Sequence, residues 1–308
     1  MPDKPNELAA AGGGAPQAAA LFLIAESPVH AGAGGAEAAL DLPIQRSVQT
    51  RWPIINDSTL RGGLKRMLEN EQDASDLFGS EAGETPHPGR FSTPDAEVAL
   101  FPVASAVGLT AWVTCLEALQ YLVRRLKIFE SKMPDAADKI KELRDVLAQA
   151  GKGPGVGEAW VAAQCDVKLK DSVVLESDRF SIPQGSSAEK LADWFCKYAV
   201  PLPDPWPARV KSHFVLIHEE AFTHYVERKT DVRTRVKIEN GRAAASGPWT
   251  EENLPVDTLL YSVLSESRKE DAGKLKDFLD KVGIDRNPVV QLGGDQNLGR
   301  GILRLKKL

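Results

Sequence analysis

Apolar residues in this sequence come in blocks of strand length, interleaved irregularly with stretches of helical period, and that mixture limits the fold more than any other feature. Leu21 to Ala25, Val98 to Val103, Leu109 to Val113, Val173 to Leu175, Phe214 to Ile217, Thr258 to Leu264, Val289 to Leu292 and Ile302 to Leu305 read as strands. Between them Cys115 to Phe129, Ala136 to Ala148, Ser187 to Tyr198 and Lys274 to Val282 read as helices. Val232 to Ile238 alternates cleanly, with Val232, Thr234, Val236 and Ile238 on one face and Arg233, Arg235 and Lys237 on the other. The regular spacing of about 30 residues that marks βαβ units is missing, so the expected class is α+β.

The 308 residues allow one large domain or two ordinary ones, and 43% hydrophobic with 26% charged residues is the balance of a globular protein. Apolar runs stay far short of the ~18 residues a membrane span needs. The run Ala18 to Ala25 ends at Glu26 and lacks the basic-then-apolar order of a signal peptide. Cys115, Cys165 and Cys196 are odd in number and widely spaced, which speaks against a disulfide framework or a cysteine zinc site and fits a reducing cytoplasm. Residues 1–20, rich in Ala, Gly and Pro, are expected to be a disordered tail.

The net charge of -5 conceals segregation. Asp41 to Arg66 carries five basic residues (Arg46, Arg51, Arg61, Lys65, Arg66) against two acidic ones, a net +3. Met67 to Leu100 carries eight acidic residues against Arg90, a net -7. Within the basic stretch Ser58 is positioned to cap a helix bearing Leu60, Leu64 and Leu68 on one face and Arg61 and Lys65 on another. Gly62 and Gly63 inside that helix each cost about 0.5–1 kcal/mol relative to Ala, so a close neighbour or a phosphate must approach its backbone. Glu71 to Thr93 has little apolar periodicity and reads as an exposed excursion.

Common chemical signatures fail. Gly32-Ala33-Gly34 lacks the third glycine and the following helix of a dinucleotide loop, and neither GxxxxGK[ST] nor GxSxG occurs. His218 and His224 are six residues apart, about 240° around a helix, which is wrong for a zincin pair.

A different constellation remains: His30-Ala31-Gly32-Ala33-Gly34, then Asp41-Leu42-Pro43-Ile44-Gln45-Arg46, then Ser58 through Arg66. It resembles the RAMP proteins of CRISPR systems, and among them the repeated backbone nuclease subunit of the type III-B (Cmr) effector complex, whose pattern runs His-x-Gly-x-Gly, Asp-x-Pro-Ile-Gln-Arg, Ser-Ser-Leu-Lys-Gly-x-x-Arg. Ser92-Thr93-Pro94-Asp95-Ala96, Trp249-Thr250-Glu251-Glu252 and the glycine-rich Gly293 to Gly301 extend the resemblance over most of residues 21–308. Asp57 stands where the family usually has Gly, Thr59 replaces the second Ser, and 1–20 has no counterpart.

The resemblance implies a modified RRM-like, ferredoxin-like palm over 21–308, a β-hairpin thumb at about 78–101 and a helical insertion at about 115–200. It implies a subunit that stacks head to tail with copies of itself and other Cmr subunits along one guide RNA, held through the RNA backbone, while base pairing selects the complementary target RNA. Arg46, Arg51, Ser58, Arg61, Lys65, Arg66, Gly293, Gly294, Gly299, Arg300 and Gly301 are the implied guide-facing residues. Asp41 is the implied cleavage residue, holding a divalent metal (Mg or Mn) or assisting removal of the ribose 2′-OH proton, with His30 second as acid or base. Glu251 and Glu252 read as a surface turn, and Arg233, Arg235 and Lys237 as a solvated face. The competing readings are the same scaffold without catalysis, and an unrelated α+β enzyme acting on a small molecule, against which the missing cofactor motifs speak.

Overall fold

The computed structural model describes residues 15, 17–35, 40–80, 85–239, 242–266 and 268–308. Strands are β1 (Ala18–Ala25), β2 (Ile54–Ile55), β3 (Phe91–Ser92), β4 (Ala96–Ser105), β5 (Leu109–Thr114), β6 (Ala159–Val161), β7 (Lys168–Leu169), β8 (Ser172–Leu175), β9 (Asp178–Ser181), β10 (Phe214–Ile217), β11 (Asp231–Glu239), β12 (Arg242–Asn253), β13 (Leu259–Glu266), β14 (Val289–Gln291) and β15 (Ile302–Lys307). Helices are α1 (Asp57–Arg66), α2 (Glu71–Phe78), α3 (Leu116–Phe129), α4 (Ala137–Ala150), α5 (Glu189–Trp194), α6 (Trp206–Ser212), α7 (Glu219–Arg228) and α8 (Lys274–Lys281).

One mixed sheet runs β14-β15-β1-β13-β4-β5-β10-β6, antiparallel except where β10 lies parallel to β5. β1 explains the arrangement. Its eight residues are all buried because Ala18, Ala20, Phe22 and Ile24 pack toward α3, α4 and α5, while Ala19, Leu21, Leu23 and Ala25 pack toward α1, α2 and α8. A strand covered on both faces needs a continuous apolar run, which is what AAALFLIA supplies. A third cluster joins the far half of β4 and β5 to α7 through Phe101, Val113, Phe222 and Tyr225. The expected α+β class holds as a mixed α and β architecture built on one large sheet.

Several expectations need correction. Composition places residues 18–20 in the tail, but they pair with Ser265, Leu264 and Val263 of β13; alanine is a weak strand former and is held here by its neighbours. Residues 1–14 and 16 of that tail lie outside the described residues. Glu71 to Phe78 is a helix, capped by Asn70, that buries Ala74, Leu77 and Phe78 at i, i+3 and i+4, with its acidic residues outward. The described residues of the range 78–101 contain the end of α2, an antiparallel bridge between Gly79 and Pro88, the edge strand β3 and half of the central strand β4. A separate two-stranded sheet is formed by β11 and β12. Finally, 115–200 mixes its helices with β6 to β9, and α3 packs its Leu119, Leu122 and Leu126 into the same core as Phe22.

Candidate functional site

The segments around 30 and 44 pair with each other and with the root of the β11–β12 hairpin. Gly32 bridges Ile44, Val29 bridges Leu254, and Leu42 bridges Glu251 in parallel sense, so the Asp41 segment is added to β12 as a short strand. Leu42 N–H donates to Thr250 O (3.1 Å) and Glu252 N–H to Leu42 O (3.0 Å). This pairing sets Asp41 beside Thr250: the Thr250 N–H (2.7 Å) and O–H (2.9 Å) both donate to Asp41 Oδ2, and Asp41 N–H donates to Thr250 Oγ1 (3.0 Å). The backbone and then the side-chain donor of Thr250 hold the exposed carboxyl below the usual carboxylate range.

His30 docks two residues further along the same strand. Its Nδ1 lies 2.7 Å from Glu252 O and 3.9 Å from Glu251 Oε1. A carbonyl only accepts, so Nδ1 is the donor in this contact, and Nε2 is the acceptor whenever the ring is neutral. Residues two apart on a strand are about 7 Å apart, so β12 places Asp41 and His30 on one stretch of backbone.

Glu251 and Glu252 form no surface turn. Both are essentially fully buried at the hairpin root. Glu252 accepts from Arg46, from Thr230 Oγ1 (2.7 Å) and from Ile44 N–H (3.0 Å). Glu251 pairs with Arg300 and with Arg235 (2.7 Å), and Arg235 reaches on to Asp295 (3.0 Å) while lying over the Trp249 ring at 5.5 Å. Charges this buried persist only when paired and hydrogen-bonded. Arg46 completes its fan on the carbonyls of Arg51, Val226 and Glu227. Arg300 also bonds Asn253 and Asp295 (both 3.1 Å), and its burial pulls its pKa down.

These contacts redistribute the expected RNA-facing residues. Arg46 and Arg300 are interior ties, their guanidinium groups taken up by Glu252, Glu251 and neighbouring carbonyls or carboxylates. Gly293, at φ +77, would drive a Cβ into His30 O, and Gly301 one into Leu292 O, so both serve close packing; Gly294 and Gly299 are exposed. Gly63 admits Leu292: a Cβ there would fall on that side chain and 2.9 Å from Gln291 O. Gly62 has only the Arg66 guanidinium nearby, at 3.8 Å.

The start of α1 offers no anion site. Asn56, not Ser58, is its cap, its Oδ1 accepting from Thr59 N–H (2.9 Å) and from the Ser58 hydroxyl (3.1 Å). Asp57 Oδ1 takes Ser58 N–H (2.6 Å), Asp95 Oδ1 takes Asp57 N–H (2.8 Å), and Asn56 O takes Leu60 N–H (3.0 Å). The donors that would attract phosphate are occupied, two of them by carboxylates. Arg61 and Arg66 remain exposed along the helix flank, Arg66 donating to Gln291 O (3.1 Å), and Lys65 is half-buried against Gly79 O (3.4 Å). Arg51 is exposed at φ +62.

The site residues that sequence reasoning passes over are Thr250, Asn56 and the buried role of Glu251 and Glu252. One local signal is available for the glutamates: Arg233 stands opposite Glu251 in the hairpin register, a basic strand facing an acidic one.

Among the described residues no three His, Cys, Asp or Glu side chains cluster as a metal site. Asp41 Oδ1, to which no other described residue donates, is a single oxygen of the kind Mg²⁺ or Mn²⁺ accepts alongside water and phosphate.

The RAMP superfamily sequence model matches residues 22–304. The chain is 27% identical over 298 residues to the CRISPR system Cmr endoribonuclease Cmr4 of Pyrococcus furiosus, covering 91% of this chain and 92% of that one. It is 24% identical over 313 residues to the CRISPR system CMR subunit Cmr4 of Saccharolobus solfataricus, covering 94% and 96%. In structure it is similar to oligomeric Cmr4 from Pyrococcus furiosus (TM-score 0.68, 22% identity, 95% and 98% covered). It is also similar to a chain of the type III-B Cmr-beta complex bound to cognate target RNA (TM-score 0.71, 19% identity, 94% and 96% covered). With a match over nearly its whole length, this chain belongs to the RAMP superfamily.

Proposed function

We infer that this protein is a backbone subunit of a type III-B RNA-guided effector complex and cleaves target RNA paired with the guide. The observation that carries the cleavage reading is Asp41: an exposed carboxylate held ionised by Thr250, on the strand stretch that also seats His30. Its support from outside the chain is the endoribonuclease name of the Pyrococcus relative.

In this reading the strands β15, β1, β13 and β4 form an RRM-like palm, and the β11–β12 hairpin, not 78–101, is the thumb. Val232, Val236 and Ile238 are 49%, 45% and 60% exposed on its outer face, apolar side chains able to pack on bases. Arg61, Lys65 and Arg66 on α1, with Arg51 nearby in sequence, meet the guide backbone from the helix flank. Copies stack head to tail along the guide beside the other Cmr subunits, in the cytoplasm; among the described residues no helix is long and apolar enough to cross a membrane.

Cleavage proceeds by attack of a ribose 2′-oxygen on the adjacent phosphorus, which forms a 2′,3′-cyclic phosphate and breaks the bond to the 5′-oxygen of the next nucleotide, that oxygen leaving as a hydroxyl with a proton from water. Asp41 supplies a fixed negative charge beside that hydroxyl, and His30 Nε2 a proton-accepting atom. Asp41 is the residue that would hold a divalent metal, which would supply charge neutralisation at the phosphate. The test is to assemble the protein with guide RNA and partner subunits and compare Asp41→Ala with the parent on labelled complementary RNA. Binding retained with cleavage abolished is expected; cutting at the parental rate by Asp41→Ala removes this residue from the chemistry.

A further inference from the structure

We propose that Thr250 is the positioning residue of the cleavage site, fixing the orientation in which the Asp41 carboxylate meets the RNA; the inference rests on the cleavage reading of Asp41 above. An aspartate on an exposed loop ordinarily rotates about χ1 and χ2 and offers either oxygen. Here a ring of contacts restrains that rotation. Thr250 gives two donors to the same oxygen, Oδ2, and takes Asp41 N–H on the hydroxyl that makes one of those donations. The two bonds differ in origin. The N–H belongs to β12 and survives any substitution except proline, whereas the O–H belongs to the side chain.

Thr250 is itself held from both sides. Its carbonyl accepts from Leu42 N–H, and its strand is anchored two residues on by Glu252, which is tied to Arg46, Thr230 and Ile44 N–H. A β-branched residue has few χ1 choices in a strand, so the hydroxyl direction is set by backbone and rotamer together. The residue between them, Glu251, is bound into the hairpin root by Arg235 and Arg300. The buried ion pairs thus fix the strand, the strand fixes Thr250, and Thr250 fixes Asp41. With Oδ2 engaged by both donors, the carboxylate meets RNA in a set orientation, a preorganisation that no residue of the basic α1 surface provides.

The test compares Thr250→Val, which keeps shape and branching but removes the hydroxyl, with Thr250→Ser, which keeps the hydroxyl. Each is assembled with guide RNA and partner subunits, and target-RNA affinity and single-turnover cleavage are measured separately. Thr250→Val is expected to bind target RNA as the parent does and to cleave about 10- to 100-fold more slowly, the scale of a displaced reacting group. Thr250→Ser is expected to stay within about threefold of the parent. A merely structural role predicts the reverse split, with both variants weakening assembly or binding and neither changing cleavage by bound complex. Parental cleavage by Thr250→Val, with Asp41→Ala inactive, overturns the positioning role alone. Parental cleavage by Asp41→Ala overturns the cleavage reading and this inference with it. If Thr250→Val fails to assemble, Thr250→Ala against Thr250→Ser decides by the same split.

Discussion

Two sets of cations lie close in sequence or along the same RNA-family motifs and behave oppositely. At the hairpin root Arg46, Arg235 and Arg300 are engaged by buried Glu251 and Glu252, by Asp295 and by backbone carbonyls. On α1, Arg61 and Arg66 stand in solvent, and no described carboxylate pairs with either. The difference follows from what surrounds each group: a guanidinium desolvated between strands must be matched by a carboxylate, whereas one on a helix flank is matched by water until an anion displaces it. Positive charge at the root is therefore engaged within the fold, and at α1 it is left to solvent.

The contrast breaks first at Arg46. Arg46→Ala leaves Glu252 buried with its cation gone, and a drop of about 3–5 kcal/mol in unfolding free energy is expected, read by chemical denaturation. A drop below about 1 kcal/mol removes the scaffold role. Gly63→Ala comes next: its Cβ meets Leu292 and Gln291 O, and about 1–3 kcal/mol of overpacking is expected. Its neighbour is the control, since Gly62→Ala meets nothing closer than Arg66 and is expected to stabilise α1 by about 0.5–1 kcal/mol. Equal effects at the two glycines would separate the α1 surface from the Leu292 packing that seats it.

A carboxylate without an arginine of its own sharpens the same point. Asp257, at φ +73 in the turn before β13, is pushed up to about 6 by burial and then by Glu26, against weak help from Arg209. Its folded form holds the proton more tightly than the unfolded chain. Its ionisation therefore lowers stability as pH rises from about 4 to about 6, and the penalty persists at neutral pH. Asp257→Asn, which tolerates the left-handed turn, is expected to gain about 1–2 kcal/mol at pH 7 and nothing below about pH 4, read as the difference between variant and parent denaturation curves. A pH-independent difference would show that packing, not charge, governs the turn.

What is legible in the sequence is local. The period-2 run Val232 to Ile238 is a hairpin strand, and the leucine spacing of α3 is a helix, because each periodicity is written in consecutive residues. Asp41 is reached through a motif, and Gly63 through the cost of glycine in a helix. Arg46 reads as an RNA ligand because its carboxylate partner lies 206 residues away, and Thr250 escapes notice because its aspartate lies 209 away. α2 is hidden by its acidic residues, although Ala74, Leu77 and Phe78 carry a helical face. Pairings over such separations leave no trace in composition or period, so the site's chemistry is visible in the sequence and its support is not.

The smallest stability effect belongs to the residues expected to matter most for RNA. Replacing Arg61 and Arg66 together with Ala removes two exposed side chains whose only bond to a described residue is that of Arg66 to Gln291 O, and unfolding free energy is expected to move by no more than about 0.5 kcal/mol. Guide-RNA affinity is expected to fall, and the slope of log affinity against log salt to shrink by about 0.7 for each phosphate no longer neutralised, the single-strand value. Arg46→Ala, assayed where it is still folded, should leave that slope unchanged, because its guanidinium already faces Glu252. Should Arg46→Ala flatten the salt dependence as much as the α1 double variant, the root arginine also reaches phosphate and the division between scaffold and surface cations fails. Should neither variant flatten it, the guide backbone runs elsewhere on the molecule, and α1, whose first N–H groups already hold Asp57, Asp95 and Asn56, is a packing helix with a solvated basic flank.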